Sequence, residues 1–464
     1  MTGLVGCGRR ERRRDRVDLG VDPQMEKANY LQSVRDQYEA FPYPLRNPAD
    51  ERVRLENSWH DFLEVINFYC FKGKQNFSGP FRVLVAGGGT GDQTIFLAEQ
   101  LRYNRRAEIV HLDFSANSMA IAKQRAQVRK LANITWLHHS VLDLPSLPVG
   151  KFDYINCAGV LHHLEDPAAG LKALQAVLKD DGAVMVMLYG KYGRTGVYQV
   201  QDLMRKINRD EPVPQLKIAN TKAVLRELPK TNWFKRGEEL IGDHKDYGDA
   251  GIYDVFLHAQ DRPFTVEQIY DLLEACGLQL IEMIERGRSK YMVESYIRDA
   301  KLLETLRQFS KKEQQVIAEL IAGDLIVHNC YAARQNDTIA ALDDLRNVPF
   351  YFLYEPENIA DLIEKRPGQL ISVKGPLFDA TIEFMPSPYT KHIFRHLDGE
   401  RSLKEIFELI RKQAGLDDQQ LPNARLLEEF RPIYDAFNNV GWMLLRHKSV
   451  GKFRSIHDMQ RPPS

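Results

Sequence analysis

The sequence predicts an α/β fold built around a mainly parallel sheet, with helical insertions and a small α+β unit near the carboxyl end. Strand and helix patterns alternate from residue 80 to about residue 190, and the first strand ends in glycines that open a helix. After about residue 347 the order changes to strands followed by helices, which predicts the separate unit.

The first strand, 83–86, runs into a turn with glycine at positions 87, 88, 89 and 91. Glycine permits positive φ and close approach of a ligand to main-chain N–H groups, and the following helix over 93–101 attracts negative charge. We therefore expect Gly87, Gly89 and Gly91 to contact a nucleotide-like ligand. The alternative is a tight turn that holds no ligand.

The spacing of these glycines disfavours a dinucleotide. A dinucleotide-binding turn needs a third glycine where Asp92 stands, and no second dinucleotide-binding half follows. An NAD-dependent oxidoreductase is therefore disfavoured.

The second strand, 108–113, ends on Asp113, some twenty residues after the glycines. A carboxylate at this place can accept hydrogen bonds from both hydroxyls of a ribose. The alternative role for Asp113 is the N-cap of a helix over 116–131, but Ser115 already fills that position.

Three further segments continue the sheet and surround the same site. A strand over 134–138 leads to Leu142 and Asp143, which could hold an adenine by apolar contact and accept from its amino group. A fourth strand, 152–157, ends on Cys157, which either borders the site or is a small buried packing residue. A crossover helix over 171–178 and a turn over 179–182 then lead to a fifth strand that ends at Tyr189.

In this order the motifs resemble the core of class I S-adenosylmethionine-dependent methyltransferases over about residues 80 to 190. The resemblance implies a Rossmann-like seven-stranded sheet with S-adenosylmethionine as cofactor. It places the glycines at the methionine and ribose, Asp113 at the ribose, and Leu142 and Asp143 at the adenine, with Phe114 and Cys157 as neighbouring contacts. The matching segments are Val-Leu-Val-Ala-Gly-Gly-Gly-Thr-Gly at 83–91, Asp113, Leu-Asp-Leu at 142–144, Phe-Asp-Tyr-Ile at 152–155, Gly-Val-Leu-His-His-Leu at 159–164 and the strand from Gly182. Position 88, often cysteine in this family, is glycine here.

The sequence assigns no catalytic residue. The sulfonium of the cofactor is already activated, so a base is needed only for an acceptor that is protonated at working pH. His162 and His163 are candidates for that base, with Tyr189 and Tyr192 as hydrogen-bonding positioners. The alternative is that these are loop residues that only shape the pocket.

Segments around the core should select the acceptor. The aromatic and proline-rich segment 38–44 is either a cap over the cofactor or a wrapping strap. The segment 189–198 is predicted to be a loop that contacts the acceptor. Insertions are expected at about 199–260 and 298–322, and the strand over 325–334 should return antiparallel between the fifth and sixth strands.

The first insertion contains acids and histidines that could bind a metal. Their spacing matches no known pattern, so we interpret them as solvated loop residues and expect no metal site. They are His244, Asp246, Asp249, Asp254 and His258.

Residues 348–449 are predicted to form a winged-helix-like domain. Within it, 392–406 is weakly similar to precursor-peptide recognition modules, with Ser402 and Glu405 as a capping box. Binding of a peptide or protein, dimerisation and nucleic-acid binding are the competing uses. Nucleic acid is least favoured because the segment has mixed charge.

Composition agrees with a large enzyme of several domains. The chain has 464 residues, no net formal charge, and five cysteines without metal-like spacing, so a reduced, cytoplasmic setting is expected and no membrane span is predicted. We expect a disordered lead over 1–24 with Met25 as an alternative start, a cap over 25–79, a methyltransferase domain over 80–335 and a tail over 450–464. The predicted function is methyl transfer to a small molecule or to a protein or peptide. The alternative is a methyltransferase-fold regulatory or scaffold protein without turnover.

Overall fold

The computed structural model describes residues 32–285, 287–353, 356, 359–374 and 381–462. The predicted lead over 1–24 and the alternative start at Met25 lie outside the described residues. A seven-stranded mixed sheet forms the centre, in the order β3-β2-β1-β4-β5-β7-β6. Its strands are β1 (Phe81–Ala86), β2 (Ala107–Asp113), β3 (Ile134–His138), β4 (Phe152–Ala158), β5 (Leu178–Tyr189), β6 (Gln279–Ile284) and β7 (Val327–Ala333).

The parallel strands are apolar because both faces of the sheet are covered. In β1, Val83 and Val85 pack into one hydrophobic cluster and Leu84 and Ala86 into another, as the alternation of a strand requires. β7 runs antiparallel to both β5 and β6, which confirms the predicted return. The carboxyl ends of β1, β2, β4 and β5 therefore meet at one edge, where such folds bind ligands.

Helices connect these strands and extend the core. They are α1 (Gln32–Ala40), α2 (Leu63–Cys70), α3 (Asp92–Gln100), α4 (Ala116–Val128), α5 (Pro167–Val177), α6 (Thr195–Ile207), α7 (Pro214–Glu227), α8 (Trp233–Gly237), α9 (Asp243–Asp246), α10 (Gly248–Phe256), α11 (Val266–Ala275), α12 (Ala300–Leu306) and α13 (Lys311–Ala322). Among the described helices, none is both long enough and apolar enough to cross a membrane.

The prediction of a turn over 179–182 is wrong. These residues belong to β5, whose pairing with β4 is irregular: Leu178 lies opposite Phe152, but Ala183 already lies opposite Tyr154. The extra residues are accommodated within the strand as a bulge-like irregularity. A bulge and a turn use the same polar and glycine residues, so the local sequence does not distinguish them.

The first insertion is helical, as the sequence predicts. Helices α6 to α10 enclose a small hydrophobic cluster of their own that includes Val197, Met204, Phe234 and Val255. The segment 189–198, predicted to be a loop, already enters α6 at Thr195. The prediction that residues 244–258 are solvated is wrong for Asp254 and His258, which are each 2% exposed.

The carboxyl-terminal part contains strands followed by helices, as predicted, together with three elements that the sequence did not indicate. The capping box of Ser402 and Glu405 is confirmed. The missed elements are a strand over 347–351, a helix over 359–365 and a short helix over 456–459, the last in the predicted tail. The strand over 347–351 pairs antiparallel with the strand over 443–447, whereas the winged-helix interpretation stays a prediction. The elements are β8 (Asn347–Tyr351), α14 (Ile359–Lys365), β9 (Ile371–Lys374), β10 (Thr381–Phe384), α15 (Thr390–His396), α16 (Leu403–Ala414), α17 (Asn423–Asn439), β11 (Met443–His447) and α18 (Ile456–Met459).

Candidate active site

A cavity of about 340 Å³ opens at the carboxyl ends of the central strands. Its volume lies in the range of small-molecule sites. Six of the predicted site residues line it, namely Gly87, Gly89, Asp113, Phe114, His163 and Tyr189. Six others are not part of its lining, namely Gly91, Leu142, Asp143, Cys157, His162 and Tyr192.

The glycine turn offers close approach rather than free hydrogen-bond donors. The amides of Gly87 and Gly88 both donate to the carbonyl of Leu112, at 2.8 and 3.0 Å, and the amide of Gly89 donates to Asp113 at 2.7 Å. All three amides therefore already have a partner within the protein, and their predicted contact with a ligand stays a prediction. A side chain at 87, 88 or 89 would meet Val160, His111 or the Tyr43 carbonyl, so glycine is needed for space.

Asp113 is held as a preformed acceptor. One carboxylate oxygen accepts from the amide of Ser115 at 2.7 Å and the other from the amide of Gly89. Ser115, not Asp113, caps α4, as the sequence predicts. Burial raises the pKa of Asp113 to about 6 although both amides favour the charged form. The carboxylate has further lone pairs for a ligand in the cavity.

The neighbouring loop after β3 borders the cavity through His139, Ser140 and Val141. Asp143 lies beside this loop in a capping box, where its carboxylate accepts from the amide of Ser140 at 3.0 Å. The side chain therefore shapes the loop, and its predicted contact with adenine stays a prediction.

The segment 38–46 crosses the mouth of the site. Tyr38, Tyr43, Pro44 and Arg46 line the cavity, and Thr90 donates to the carbonyl of Pro44 at 2.7 Å. These contacts join the segment directly to the glycine turn. They favour a cap over the cofactor site, one of the two interpretations that the sequence left open.

An ion-pair cluster fixes Arg46 at the mouth. Arg46 contacts Asp92 in the first turn of α3 at 2.6 Å, and Arg125 contacts the same carboxylate at 2.6 Å. Burial raises the pKa of Asp92, but the two guanidinium groups outweigh it and hold that pKa below its usual value. Asp92, which stands where a dinucleotide-binding turn needs glycine, therefore holds the cap in place through Arg46.

Asp254 is the buried centre of the other end of the cavity. The hydroxyl of Tyr38 donates to one carboxylate oxygen and that of Tyr189 to the other, both at 3.1 Å. Burial raises the pKa of Asp254 as well as those of both tyrosines. Since both hydroxyl protons are directed at Asp254, the Tyr189 oxygen can accept from a ligand, whereas the Tyr38 oxygen also lies 3.2 Å from Nε2 of His258.

The backbone of Gln260 sets the proton positions of two histidines. Its amide donates to Nδ1 of His258 at 3.0 Å, while its carbonyl accepts from Nδ1 of His163 at 2.9 Å. Neutral His258 therefore carries its proton on Nε2, 3.2 Å from the Tyr38 hydroxyl, whereas His163 keeps a lone pair on Nε2. Burial holds the pKa of His258 well below its ordinary value, which keeps it neutral.

Two groups in this region have the composition of metal sites, namely His163, Asp254 and His258, and His162, His163 and Asp261. In the first, the rings of His163 and His258 are stacked, with centroids 3.8 Å apart and planes 15° apart. Two nearly parallel in-plane lone pairs cannot meet at one ion about 2 Å from each nitrogen. In the second, Arg194 lies 3.8 Å from the carboxylate of Asp261 and opposes a cation. The geometry therefore supports a hydrogen-bonded network rather than a metal centre.

The remaining catalytic candidates lie behind or outside the cavity. His162 packs against Tyr189 with ring centroids 4.0 Å apart, and both of its nitrogens are buried without a partner among the described residues. Arg194 packs over the Tyr189 ring, 3.7 Å from its centroid. Tyr192 is 37% exposed and does not line the cavity. His162 and Arg194 thus fix the Tyr189 ring.

Comparison with known proteins agrees with the fold of this site. Residues 84–184 match a family model described as a methyltransferase domain. The structure of PKMT2 from Rickettsia typhi aligns with a TM-score of 0.59 and 16% identity, covering 84% of this chain and 76% of that one. A second structure of PKMT2, in complex with AdoHcy, aligns with a TM-score of 0.59 and 18% identity over 84% and 75% of the two chains. The chain thus contains a class I methyltransferase fold.

Curated relatives match only part of their own length. An uncharacterized protein of Synechococcus sp. (strain ATCC 27144 / PCC 6301 / SAUG 1402/1) is 31% identical over 259 residues, which is 55% of this chain and 61% of the relative. A ubiquinone biosynthesis O-methyltransferase of Acinetobacter baylyi is 27% identical over 36% of this chain and 62% of the relative. The chain therefore spans less than two thirds of the relatives it matches.

Sequence reasoning missed several residues that complete the site. Asp243, Tyr247 and Asp254 come from the first insertion, and Gln260 acts only through its backbone. Backbone contacts carry no signature in the sequence. The apolar spacing of Ile252, Val255 and Phe256 places Asp254 on the opposite face of the helix, so the pattern gave no signal for its burial.

Proposed function

We propose that the protein is an S-adenosylmethionine-dependent methyltransferase whose acceptor binds between Tyr38, Tyr189 and His163. The observation that carries the proposal is the preformed Asp113 carboxylate at the edge of a glycine turn that has no side chains toward the cavity. Such an arrangement suits a ribose with both hydroxyls free. The bound cofactor would supply an activated methyl group.

The residues of the chain have separable tasks in this function. Asp113 would accept from the ribose, and the loop over 139–141 would lie along the adenine. The cap over 38–46 would exclude water, while Tyr38 and Tyr189 would orient the acceptor in line with the methyl group. The fold shared with a structure that contains AdoHcy and the relative named an O-methyltransferase support the proposal.

Calorimetric titration with S-adenosylmethionine and S-adenosylhomocysteine tests this function. We expect Asp113→Asn to weaken binding roughly 10- to 100-fold, because a hydrogen bond to a charged group contributes about 1.5–3 kcal/mol. The matched control is Asp181→Asn, since Asp181 is exposed on β5. Absence of binding to the wild-type protein would overturn the proposal and favour the regulatory or scaffold alternative.

A further inference from the structure

His163 presents one unpaired imidazole nitrogen to the cavity. Its Nδ1 proton is committed to the Gln260 carbonyl, so in neutral His163 the lone pair is on Nε2. The side chain lines the cavity, and within the described part of the chain no hydrogen bond to Nε2 is formed. A lone pair held in this way can accept a proton from a ligand.

We propose that His163 is the general base of the reaction and that the acceptor is therefore a protic nucleophile, carrying a hydroxyl or an amine with an N–H bond. The inference rests on the proposed function. His163 Nε2 takes the proton as the acceptor oxygen or nitrogen bonds to the methyl carbon. The electron pair of the broken carbon–sulfur bond stays on sulfur, which becomes a neutral thioether.

The surroundings distinguish His163 from its two neighbours His162 and His258 as the candidate base. His162 does not line the cavity and has both nitrogens buried. His258 does not line it either, and its Nδ1 lone pair is used by the Gln260 amide. Of these three histidines, only His163 combines access to the cavity with a nitrogen lone pair that has no partner among the described residues.

Asp254 stabilises the imidazolium that the proton transfer creates. An oxygen of its carboxylate and a nitrogen of His163 lie within 4.8 Å of each other in a region shielded from solvent. An opposite charge at this distance favours the protonated histidine. Asp254 is therefore a positioning residue that acts through His163 and the two tyrosines.

Several titratable or charged groups face His163 from the surrounding elements. They are His162 beside it, Tyr38 from α1, Tyr189 from β5, Arg194 behind Tyr189, Asp254 from α10, and His258 and Asp261 from the segment before α11. The tyrosines are neutral at ordinary pH because burial raises the pKa of each. A neutral tyrosine is not a base, so neither hydroxyl competes with His163 for the proton.

The first test needs no acceptor. Long-range nitrogen–proton NMR of histidine-labelled protein, with His163→Gln identifying the resonance, should show His163 protonated on Nδ1 and unprotonated on Nε2. An Nε2-protonated tautomer would overturn the assignment. The same sample titrated with S-adenosylmethionine reports the proposed function separately, since binding does not depend on the tautomer.

The second test measures transfer from methyl-deuterated S-adenosylmethionine to acceptors in a cell extract, with the modified atom located by mass spectrometry. We expect the label on oxygen or nitrogen, and a rate for His163→Gln that is roughly 100-fold or more below wild type. The control is His457→Gln, because His457 is exposed and distant from His163 in the sequence.

The outcomes separate the two proposals. Unchanged cofactor affinity with a slow His163→Gln supports the base. Transfer to a thioether or tertiary amine, or His163→Gln as fast as the control, overturns it while leaving the methyltransferase function intact.

Discussion

The side chain of His111 leaves room only for glycine at position 88. A Cβ at this position would overlap the imidazole of His111, which is fully buried on β2 and bonded to the Thr94 hydroxyl at 2.8 Å. Burial lowers the pKa of His111 to about 3, so the ring is neutral. A cysteine at this position would have no room, so packing against His111 requires the glycine.

Replacement of Gly88 by alanine should destabilise the protein by about 1–3 kcal/mol, the usual cost of overpacking a core. Gly451→Ala is the matched control, because nothing lies within 4 Å of a Cβ there. Urea unfolding measures the difference. A combined Gly88→Ala, His111→Ala variant should lose less than the sum of the single variants; strict additivity would exclude the proposed overlap.

Affinity for S-adenosylmethionine should fall as the pH is lowered through about 6, the pKa of Asp113. A protonated carboxyl has less acceptor capacity for the ribose hydroxyls, so the ionised form is the one that binds. Because this pKa is raised from 3.8, folding favours the protonated form, and the contribution of Asp113 to stability decreases as the pH rises toward 6.

Calorimetry between about pH 5 and about pH 8 checks this expectation, since this range covers the titration on both sides. Asp113→Asn should bind weakly with little pH dependence. If that variant showed the same pH dependence as wild type, another group would be responsible.

At the scale of elements, Glu39 joins the cap to the fold. Its carboxylate accepts from the amides of Ala116 and Asn117 at 2.7 and 3.1 Å, at the amino end of α4. The side-chain amide of Asn117 donates to the Glu39 carbonyl at 2.8 Å. A carboxylate is favourable there because it satisfies free N–H groups and complements the helix dipole.

Glu39→Ala should therefore reduce the free energy of unfolding by about 0.5–2 kcal/mol, the range for loss of a helix cap. It should also make the segment 32–46 more sensitive to protease, because the cap loses its attachment to α4. Exposed Glu239 provides the matched control as Glu239→Ala. Equal protease sensitivity in both variants would show that Glu39 does not anchor the segment.

The sheet could be predicted from the sequence because its signals are local. Each strand of the core is an apolar run bounded by glycine or polar residues, and Asp113, Ser115 and Thr265 mark strand or helix ends by residue type alone. The strand irregularity over 178–183 and the short β8 were missed, because pairing between distant segments decides them.

Half of the candidate site could be predicted in the same way. Residues at the ends of strands were found because the fold brings those ends together. Asp254 and His258 were misjudged because their burial depends on α10 packing against α6 and on Tyr38 arriving from the amino-terminal end. A polar residue on the inner face of an insertion is not distinguishable by residue type from one in solvent.

At the scale of the molecule, a buried ion-pair network joins the amino-terminal segment to the carboxyl-terminal one. Glu51 is 2% exposed and pairs with both Arg125 and Arg129 of the segment around α4. Arg129 also donates to the carbonyls of Met459 and Gln460 at 3.0 and 2.9 Å. These contacts hold the end of the described chain against the sheet domain.

Arg129→Met should destabilise the protein by about 3–5 kcal/mol, since it removes one of the two partners of the buried Glu51 carboxylate and leaves two buried carbonyls without their donor. The control Arg209→Met removes only an exposed ion pair with Asp210 and should cost less than about 1 kcal/mol. Denaturant unfolding of both variants measures the difference. Similar losses would mean that the network is solvated and contributes little.

The carboxyl-terminal unit shares its core with the sheet domain, which bears on the predicted boundary near residue 348. Phe62 before α2 packs against Phe96 of α3, with ring centroids 4.9 Å apart, and against Phe352 after β8, at 5.1 Å. Trp442, 1% exposed, belongs to the same hydrophobic cluster as Val83 of the central strand. We therefore expect the two parts to unfold together.

Two single-tryptophan proteins test this cooperativity, one retaining Trp136 on β3 and the other Trp442 beside β11, with the remaining tryptophans changed to phenylalanine. Fluorescence and far-ultraviolet circular dichroism should give coincident transitions in denaturant for both proteins, because removing either part exposes the cluster around Phe62 to water. Separate transitions for the two probes would instead show an independently folding carboxyl-terminal domain, and truncation before residue 348 would then leave a stable sheet domain. The cap is attached to the same sheet. If the transitions coincide, a destabilising change in the carboxyl-terminal part should lower S-adenosylmethionine binding only because fewer molecules are folded. The S-adenosylmethionine affinity measured per folded molecule should then be unchanged.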